Sequence, residues 1–104
     1  AQINVTVEGL IVEMISSTLI NETELGNFYR VVFKVSTKVT SAKLYKGQHE
    51  TEPVEGTIYE PLEELPVQSG LITFEFMTKT ETHVSLFVTD GEGHEAFLVS
   101  QFVQ

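Results

Sequence analysis

The charged residues with the most suggestive spacing lie near the end of the chain. Asp90, Glu92 and Glu95 alternate with glycines in the stretch Thr-Asp-Gly-Glu-Gly-His-Glu. Calcium favours several carboxylate oxygens carried on flexible backbone, so these three residues are candidate calcium ligands, which Glu50 or Glu52 would have to complete. Asp-Gly and Glu-Gly pairs are equally typical of an ordinary tight turn. The sequence therefore leaves a calcium site and a plain turn as alternatives.

The other residues capable of chemistry form no catalytic constellation. The three histidines, at positions 49, 83 and 94, do not have metal-ligand spacing on one element, although His94 lies near Asp90 and could respond to mild acid. The candidate carboxylate pairs for hydrolysis, Glu63-Glu64 and Glu50-Glu52, lie in a proline-bearing stretch, and no serine lies in a nucleophile elbow. The chain has no cysteine, which removes thiolate chemistry and cysteine-based zinc sites. We therefore predict a protein that is not an enzyme and needs no cofactor, with calcium as the one candidate ion.

Two asparagines begin glycosylation sequons. Asn4 starts Asn-Val-Thr and Asn21 starts Asn-Glu-Thr, and the chain has only three asparagines. Sequons of this kind fit an extracellular or cell-surface protein, although proteins of the cytosol also carry unused ones. We predict an extracellular or cell-surface location, with Asn4 and Asn21 as candidate glycosylation sites.

Length and charge restrict the class of partner. The 104 residues correspond to a single domain, 1–104, which is long enough to bury a core without disulfides. The formal net charge of −9 argues against binding to nucleic acid or to anionic membranes, and is compatible with basic partners or simple solubility. No apolar run has the length of a transmembrane helix, so we expect no direct membrane insertion by this segment.

Alternating apolar and polar residues predict that these positions are carried by strands. The predicted strands are 3–7, 10–20, 28–37, 40–45, 71–77, 83–89 and 95–103. Apolar spacing within 10–20 would also suit a helical face, but β-branched residues favour a bent strand there. A polar loop is predicted at 21–27. The acidic stretch 48–70 holds all three prolines and is predicted to be a long surface connection with a brief edge strand at 57–59. We predict an all-β antiparallel sandwich of about seven strands with Greek-key connections.

The final hairpin carries a resemblance to a known family. The stretch Val-Ser-Leu-Phe-Val-Thr-Asp-Gly-Glu-Gly-His-Glu-Ala, residues 84–96, resembles the last hairpin of immunoglobulin-like extracellular modules of bacteria and archaea. In those modules a strand ends in Thr-Asp, a glycine-containing turn follows, and the last strand closes the sandwich. The buried tryptophan, cysteine pair and tyrosine corner of better-known subfamilies are missing. The resemblance implies an immunoglobulin-like fold and no particular function.

The same hairpin has apolar residues on both faces. In one register, Phe87 shares the outer face with Ala96, Leu98 and Phe102; in the neighbouring register, it shares that face with Phe97, Val99 and Val103. Either register leaves an apolar patch around Phe87, and such patches usually mark an interface. The alternative is that another segment of the chain, such as 10–20, folds over the patch.

These observations favour an interaction or structural module of a cell-surface or exported assembly. A surface appendage or a surface layer is a concrete setting, and archaellum stator subunits are similar in size and class. The partner would be another protein or a second copy of the chain in a homodimer. The alternatives are a module that binds calcium or a small ligand, and a proteinase inhibitor with the acidic loop 48–70 as its reactive segment.

Overall fold

The computed structural model describes residues 2–6 and 10–102, and its strands form two antiparallel sheets packed face to face. The strands are β1 (Gln2–Thr6), β2 (Val12–Thr23), β3 (Gly26–Val35), β4 (Val39–Lys46), β5 (Leu71–Thr78), β6 (His83–Asp90) and β7 (Glu95–Gln101). One sheet has the order β1-β7-β6-β4 and the other the order β2-β3-β5. The described residues contain no helix, and therefore no helix that could cross a membrane. The prediction of an all-β sandwich is confirmed.

The core lies between the two sheets because alternate residues of each strand point inwards. Within it, the rings of Phe33 and Phe74 meet edge to face with centroids 5.8 Å apart. Fully burying a side chain of this type contributes about 1.5–3 kcal/mol. The largest fully buried side chains are Phe33, Phe74, Phe76, Leu10, Leu44, Ile72, Leu86, Leu98, Val31, Val39, Val84 and Val88.

The predicted polar loop at 21–27 is wrong. Strand β2 continues to Thr23 and β3 begins at Gly26, so only two residues separate the strands. The Thr23 hydroxyl accepts hydrogen bonds from the backbone N–H groups of Leu25 and Gly26 and donates one to the Gly26 carbonyl, at 3.2, 3.2 and 2.7 Å. The polar residues that suggested a loop belong to the exposed end of a hairpin.

Two irregularities in β2 explain its helix-like apolar spacing. The pairing of β2 with β3 shifts register between Met14 and Ser16 and again between Leu19 and Asn21. Each shift inserts one extra residue, as in a β-bulge, and so breaks the strict alternation of a strand. The prediction of a second extended segment is confirmed. The predicted strand residues Val7 and Val103 lie outside the described residues.

The acidic segment 48–70 contains no regular strand and is held at several points. Tyr59 forms an isolated bridge with Leu44, with backbone N···O distances of 3.0 and 2.9 Å, within the predicted edge strand 57–59. Leu65 and Val67 pack against the core together with Tyr59. At its end the Gly70 carbonyl accepts a hydrogen bond of 2.7 Å from the backbone N–H of β3 at Val35. The segment is therefore attached to both sheets.

Candidate functional site

The register of the final hairpin decides which side chains face outwards. Phe87 pairs with Phe97 across β6 and β7, so these two residues share the outer face with Val99. Val99 is covered there and is only 4% exposed, so its predicted place in an interface is wrong. Ala96, Leu98 and Phe102 are only 4%, 0% and 3% exposed because they point into the core. Their predicted place in an interface is therefore wrong. Val103, the remaining member of the outer register, lies outside the described residues.

Two aromatic rings form the centre of this outer face. The rings of Phe87 and Phe97 stack with centroids 5.7 Å apart and an angle of 20° between their planes, and both side chains are half-buried. Tyr45 of β4 meets Phe87 edge to face at 5.7 Å. Lys43, also on β4, lies opposite Phe87 in the pairing of β4 with β6. The alternation of β4, β6 and β7 thus brings three aromatic side chains and one cation to one surface.

Segment 47–52, which follows β4, covers part of the outer face. The Ser85 hydroxyl donates to the Gly47 carbonyl at 2.6 Å and accepts from the backbone N–H of His49 at 2.8 Å. The Tyr45 hydroxyl donates to Glu52 Oε2 at 2.8 Å. Ser85 and Tyr45 are consequently buried, at 0% and 3% exposure. The alternative that another segment of the chain folds over the patch is therefore partly correct, but the covering segment is 47–52 and not 10–20.

A groove remains open beside the cover. It has a volume of about 330 Å³ and lies between segment 47–52 and the Phe87–Phe97 pair. Its lining includes Glu50, Thr51 and Glu52 on one side and Phe87, Thr89, Glu95 and Phe97 on the other. We call this space the aromatic groove. Its floor is apolar and its rim is acidic.

The acidic rim is only partly neutralised by the chain itself. Glu52 forms an ion pair with Lys43 at 3.3 Å in addition to its hydrogen bond from Tyr45. Burial raises the pKa of the Tyr45 phenol, and the hydrogen bond to Glu52 and its negative charge raise that pKa further. Glu50 and Glu95 are exposed and form no ion pair with another described residue.

The turn between β6 and β7 is organised by Asp90. One carboxylate oxygen accepts hydrogen bonds from the backbone N–H groups of Glu92 and His94, at 2.8 and 2.9 Å. The other oxygen lies 2.7 Å from His94 Nδ1. Burial of the carboxyl would raise its pKa, but the hydrogen bonds from His94 and Glu92 outweigh that effect and lower the pKa of Asp90 to about 2. This is a stable ionised carboxylate that completes a turn.

The predicted calcium ligands do not form a metal site. Both oxygens of Asp90 are engaged by its own turn, and Glu92 and Glu95 are exposed. Within 10–102, no group of three or more His, Cys, Asp or Glu side chains is placed to hold a metal ion. The plain-turn interpretation of this stretch accounts for its contacts.

The two sequons lie on strands of different sheets. Asn21 is exposed on β2, where it pairs with Phe28. Asn4 pairs with Leu98 in the ladder of β1 and β7. Their glycosylation stays a prediction.

Sequence reasoning missed the residues that attach the cover, namely Lys43, Tyr45, Glu52 and Ser85. One signal was available: Ser85 interrupts the apolar run Val-Ser-Leu-Phe-Val of β6. A small hydroxyl at such a position indicates that a backbone crosses above it, because a buried hydroxyl needs hydrogen-bond partners. The partners themselves come from a segment about 36–38 residues away in sequence.

The aromatic groove has the chemistry of a binding surface. Aromatic faces attract apolar groups and cations, and carboxylate oxygens accept hydrogen bonds from cationic donors.

No family model matches the chain, and no match was found among curated proteins or solved structures.

Proposed function

We propose that this chain is a non-catalytic interaction or structural module of a cell-surface or exported assembly, such as a surface appendage or a surface layer. It associates with a protein partner, or with a second copy of itself, through the outer face of β6 and β7. The observation that carries the proposal is that Phe87 and Phe97 stay partly exposed although segment 47–52 buries their neighbours. Half-buried aromatic rings at the centre of a surface are typical of interface residues.

We further infer an immunoglobulin-like sandwich of about seven strands with Greek-key connections. Its support is that the chain passes to the opposite sheet after β3, after β4 and after β5. As a result β3 pairs with β5, and β4 pairs with β6. Sandwiches of this class serve many unrelated functions, so the fold is compatible with an interaction module but does not select one.

The exported setting is supported by Asn21. Its sequon lies on the exposed edge strand β2, where an attached sugar would meet solvent rather than core. Expression in a glycosylating host, followed by intact-mass measurement of the native chain and of Asn21→Gln, tests this part. A sugar mass that is present on the native chain and missing from Asn21→Gln would support it.

The energetics set the minimum extent of the interface. Burying two aromatic side chains contributes about 1.5–3 kcal/mol each, whereas association costs at least about 4 kcal/mol in lost rigid-body freedom. Phe87 and Phe97, which are already half-buried, cannot supply this alone. A stable complex must therefore also contact the walls of the aromatic groove.

Solution mass at several protein concentrations tests self-association. We compare the native chain with Phe87→Ser and with Met77→Ser, a matched control whose exposed side chain lies on the opposite sheet. Self-association through the proposed face requires a mass that rises with concentration for the native chain and for Met77→Ser, but not for Phe87→Ser. A monomer in all three cases removes self-association and leaves a different protein as the partner.

A second candidate function is proteinase inhibition by the acidic loop. Val54 is fully exposed, while the chain on either side is anchored by the Tyr45–Glu52 hydrogen bond and the Leu44–Tyr59 bridge. An exposed apolar residue between fixed ends suits insertion into a proteinase cleft. Incubation with a panel of serine proteinases tests it. An inhibitor would reduce proteinase activity with at most one slow cleavage within 53–58; rapid cleavage with full proteinase activity would exclude this function.

A further inference from the structure

We propose that the aromatic groove binds the guanidinium group of an arginine side chain presented by a basic partner protein. This inference rests on the proposed interaction function and specifies the chemistry of the partner. It combines three features of the groove: its aromatic floor, its two carboxylates that have no cation partner among the described residues, and its limited volume.

The floor of the groove suits a planar cation. The rings of Phe87 and Phe97 stack on each other with 20° between their planes, and both residues line the groove. A guanidinium seated beside these rings gains cation–π attraction, and it is more weakly hydrated than an ammonium group. Arginine is therefore better matched to this floor than lysine.

The rim supplies acceptors for the guanidinium donors. Glu50 lines the groove from the covering segment and Glu95 lines it from the start of β7. Neither carboxylate is paired with a cation in the described part of the chain, whereas the charge of Glu52 is shared with Lys43. These two carboxylates beside an aromatic floor complement the several N–H donors of one arginine.

The charge of the chain favours a foreign partner over a second copy. The sequence contains 15 acidic residues and 6 basic ones, so two copies repel each other. Its only arginine, Arg30, is held by Glu75 at 2.7 Å on the outer face of the other sheet. A second copy therefore offers no free guanidinium, while a basic protein is attracted by the net charge of −9.

The volume of the groove is sufficient for a single side chain. About 330 Å³ is at the lower end of the range of roughly 300–1,000 Å³ that small-molecule pockets occupy. It accommodates one extended arginine side chain with its flanking backbone outside.

Titration of the intact chain with matched short peptides tests the proposal. The probes are acetyl-Gly-Arg-Gly-amide, its lysine analogue and its neutral citrulline analogue. Their binding is measured at low ionic strength by the NMR shifts of the aromatic protons of the chain. We expect saturable shifts at Phe87 and Phe97 with the arginine peptide, and binding roughly tenfold weaker with the citrulline peptide. Salt should weaken the arginine complex, because the groove is exposed and its charges are screened.

Conservative variants of exposed residues provide a second test, because such changes should not destabilise the fold. Glu50→Gln and Glu95→Gln should each weaken binding of the arginine peptide several-fold. Glu22→Gln, at an exposed position on β2, should leave the affinity for that peptide unchanged. Equal affinity for citrulline or for lysine, no saturation at millimolar peptide, or indifference to both groove variants would overturn the proposal.

The results separate this inference from the proposed function. If Phe87→Ser abolishes self-association but the arginine peptide does not bind, the interface stands and the arginine site is excluded. If the chain stays monomeric and the arginine peptide binds selectively, the site stands and the partner is a different protein. If neither is observed, self-association through this face and the arginine site are both excluded.

Discussion

At the scale of single residues, Asp90 shows how one side chain can complete a turn. Its carboxylate is nearly inaccessible to solvent and accepts hydrogen bonds on both oxygens from the five-residue stretch that it begins. Because these bonds favour the ionised form, the pKa of Asp90 lies at about 2, compared with 3.8 for the free side chain. The Asp90 carboxylate therefore loses its charge only under acid conditions.

Asp90→Asn is expected to remove part of the acid sensitivity of the fold. A lowered carboxyl pKa stabilises the folded chain above pH 3.8, and this contribution is lost as the pH falls from 3.8 through about 2. In the native chain, the free energy of unfolding should fall in this window. Asp90→Asn should be less stable than the native chain at neutral pH, and its free energy of unfolding should change less between pH 4 and pH 2. Urea unfolding at several pH values measures both.

Glu92→Gln is the control for this prediction, because Glu92 is exposed in the same turn. It should keep the acid transition of the native chain. A native-like pH profile for Asp90→Asn would contradict the role given to its carboxylate.

Tyr45 is the residue that connects the cover to the sheet. We expect Tyr45→Phe to lower the free energy of unfolding by about 1 kcal/mol, because it removes one hydrogen bond to a partly exposed carboxylate. Since the pKa of Tyr45 is raised above 10.0, the native contribution is complete below pH 10 and decreases at higher pH. Urea unfolding at pH 7 and above pH 10 measures both effects.

Tyr59→Phe is the matched control, since its ring packs on the core while its hydroxyl has no hydrogen-bond partner in the described residues. If both variants lose the same free energy of unfolding, the loss in Tyr45→Phe does not come from the Tyr45–Glu52 hydrogen bond.

At the scale of elements, the long acidic segment is a fixed part of the sandwich. Its backbone bonds to β4 through Tyr59, to β5 through Leu62 and to β3 through Gly70. Glu63 adds a side-chain acceptor for the backbone N–H of Thr73 at 2.8 Å. The proline and glutamate content indicated a surface connection, but these attachments depend on strands distant in sequence.

Gly70→Ala is expected to destabilise the fold by about 1–3 kcal/mol. Gly70 has a φ of +73°, and an added Cβ would lie 2.9 Å from the carbonyl oxygen of Val35. That contact closes the acidic segment onto β3. Thermal and urea unfolding measure the loss.

Gly91→Ala should change stability by less than about 0.5 kcal/mol, because a Cβ at this exposed glycine meets nothing within 4 Å. A Gly70→Ala variant as stable as Gly91→Ala would show that the close approach to β3 relaxes without cost.

At the scale of the whole molecule, the core and the surface charge have opposite effects on stability. The fold is stabilised by a core that two sheets share, whereas the surface carries the net charge of −9. Self-repulsion of this kind destabilises the compact state at low ionic strength. It also attracts basic partners, which is the basis of the proposed arginine site.

Sodium chloride is expected to raise the thermal unfolding midpoint at neutral pH. Between about 10 mM and 0.5 M salt, the Debye length falls from about 30 Å to only a few ångströms, so repulsion among the surface carboxylates is screened. Differential scanning calorimetry measures the midpoint. Near pH 4.6, where the net charge is close to zero, the salt effect should largely disappear. A midpoint that falls with salt at pH 7 would mean that attractive pairs such as Arg30–Glu75 dominate.

The sequence by itself determined the all-β class, most strand positions and the two faces of each regular strand. These follow from alternation, which is a local property of the residues. It also indicated that Phe87 lies on an outer face. It misread the residues at 21–27, because a polar hairpin end and a polar loop have the same composition.

Only the tertiary structure decided the register of the last hairpin and the identity of the covering segment. A shift of one residue exchanges the faces of a strand, and both registers left an apolar set outside. Pairing of Phe87 with Phe97 sent Ala96, Leu98 and Phe102 into the core. The cover over Ser85 comes from a segment whose own sequence shows no apolar pattern, because its attachment depends on hydrogen bonds to distant residues.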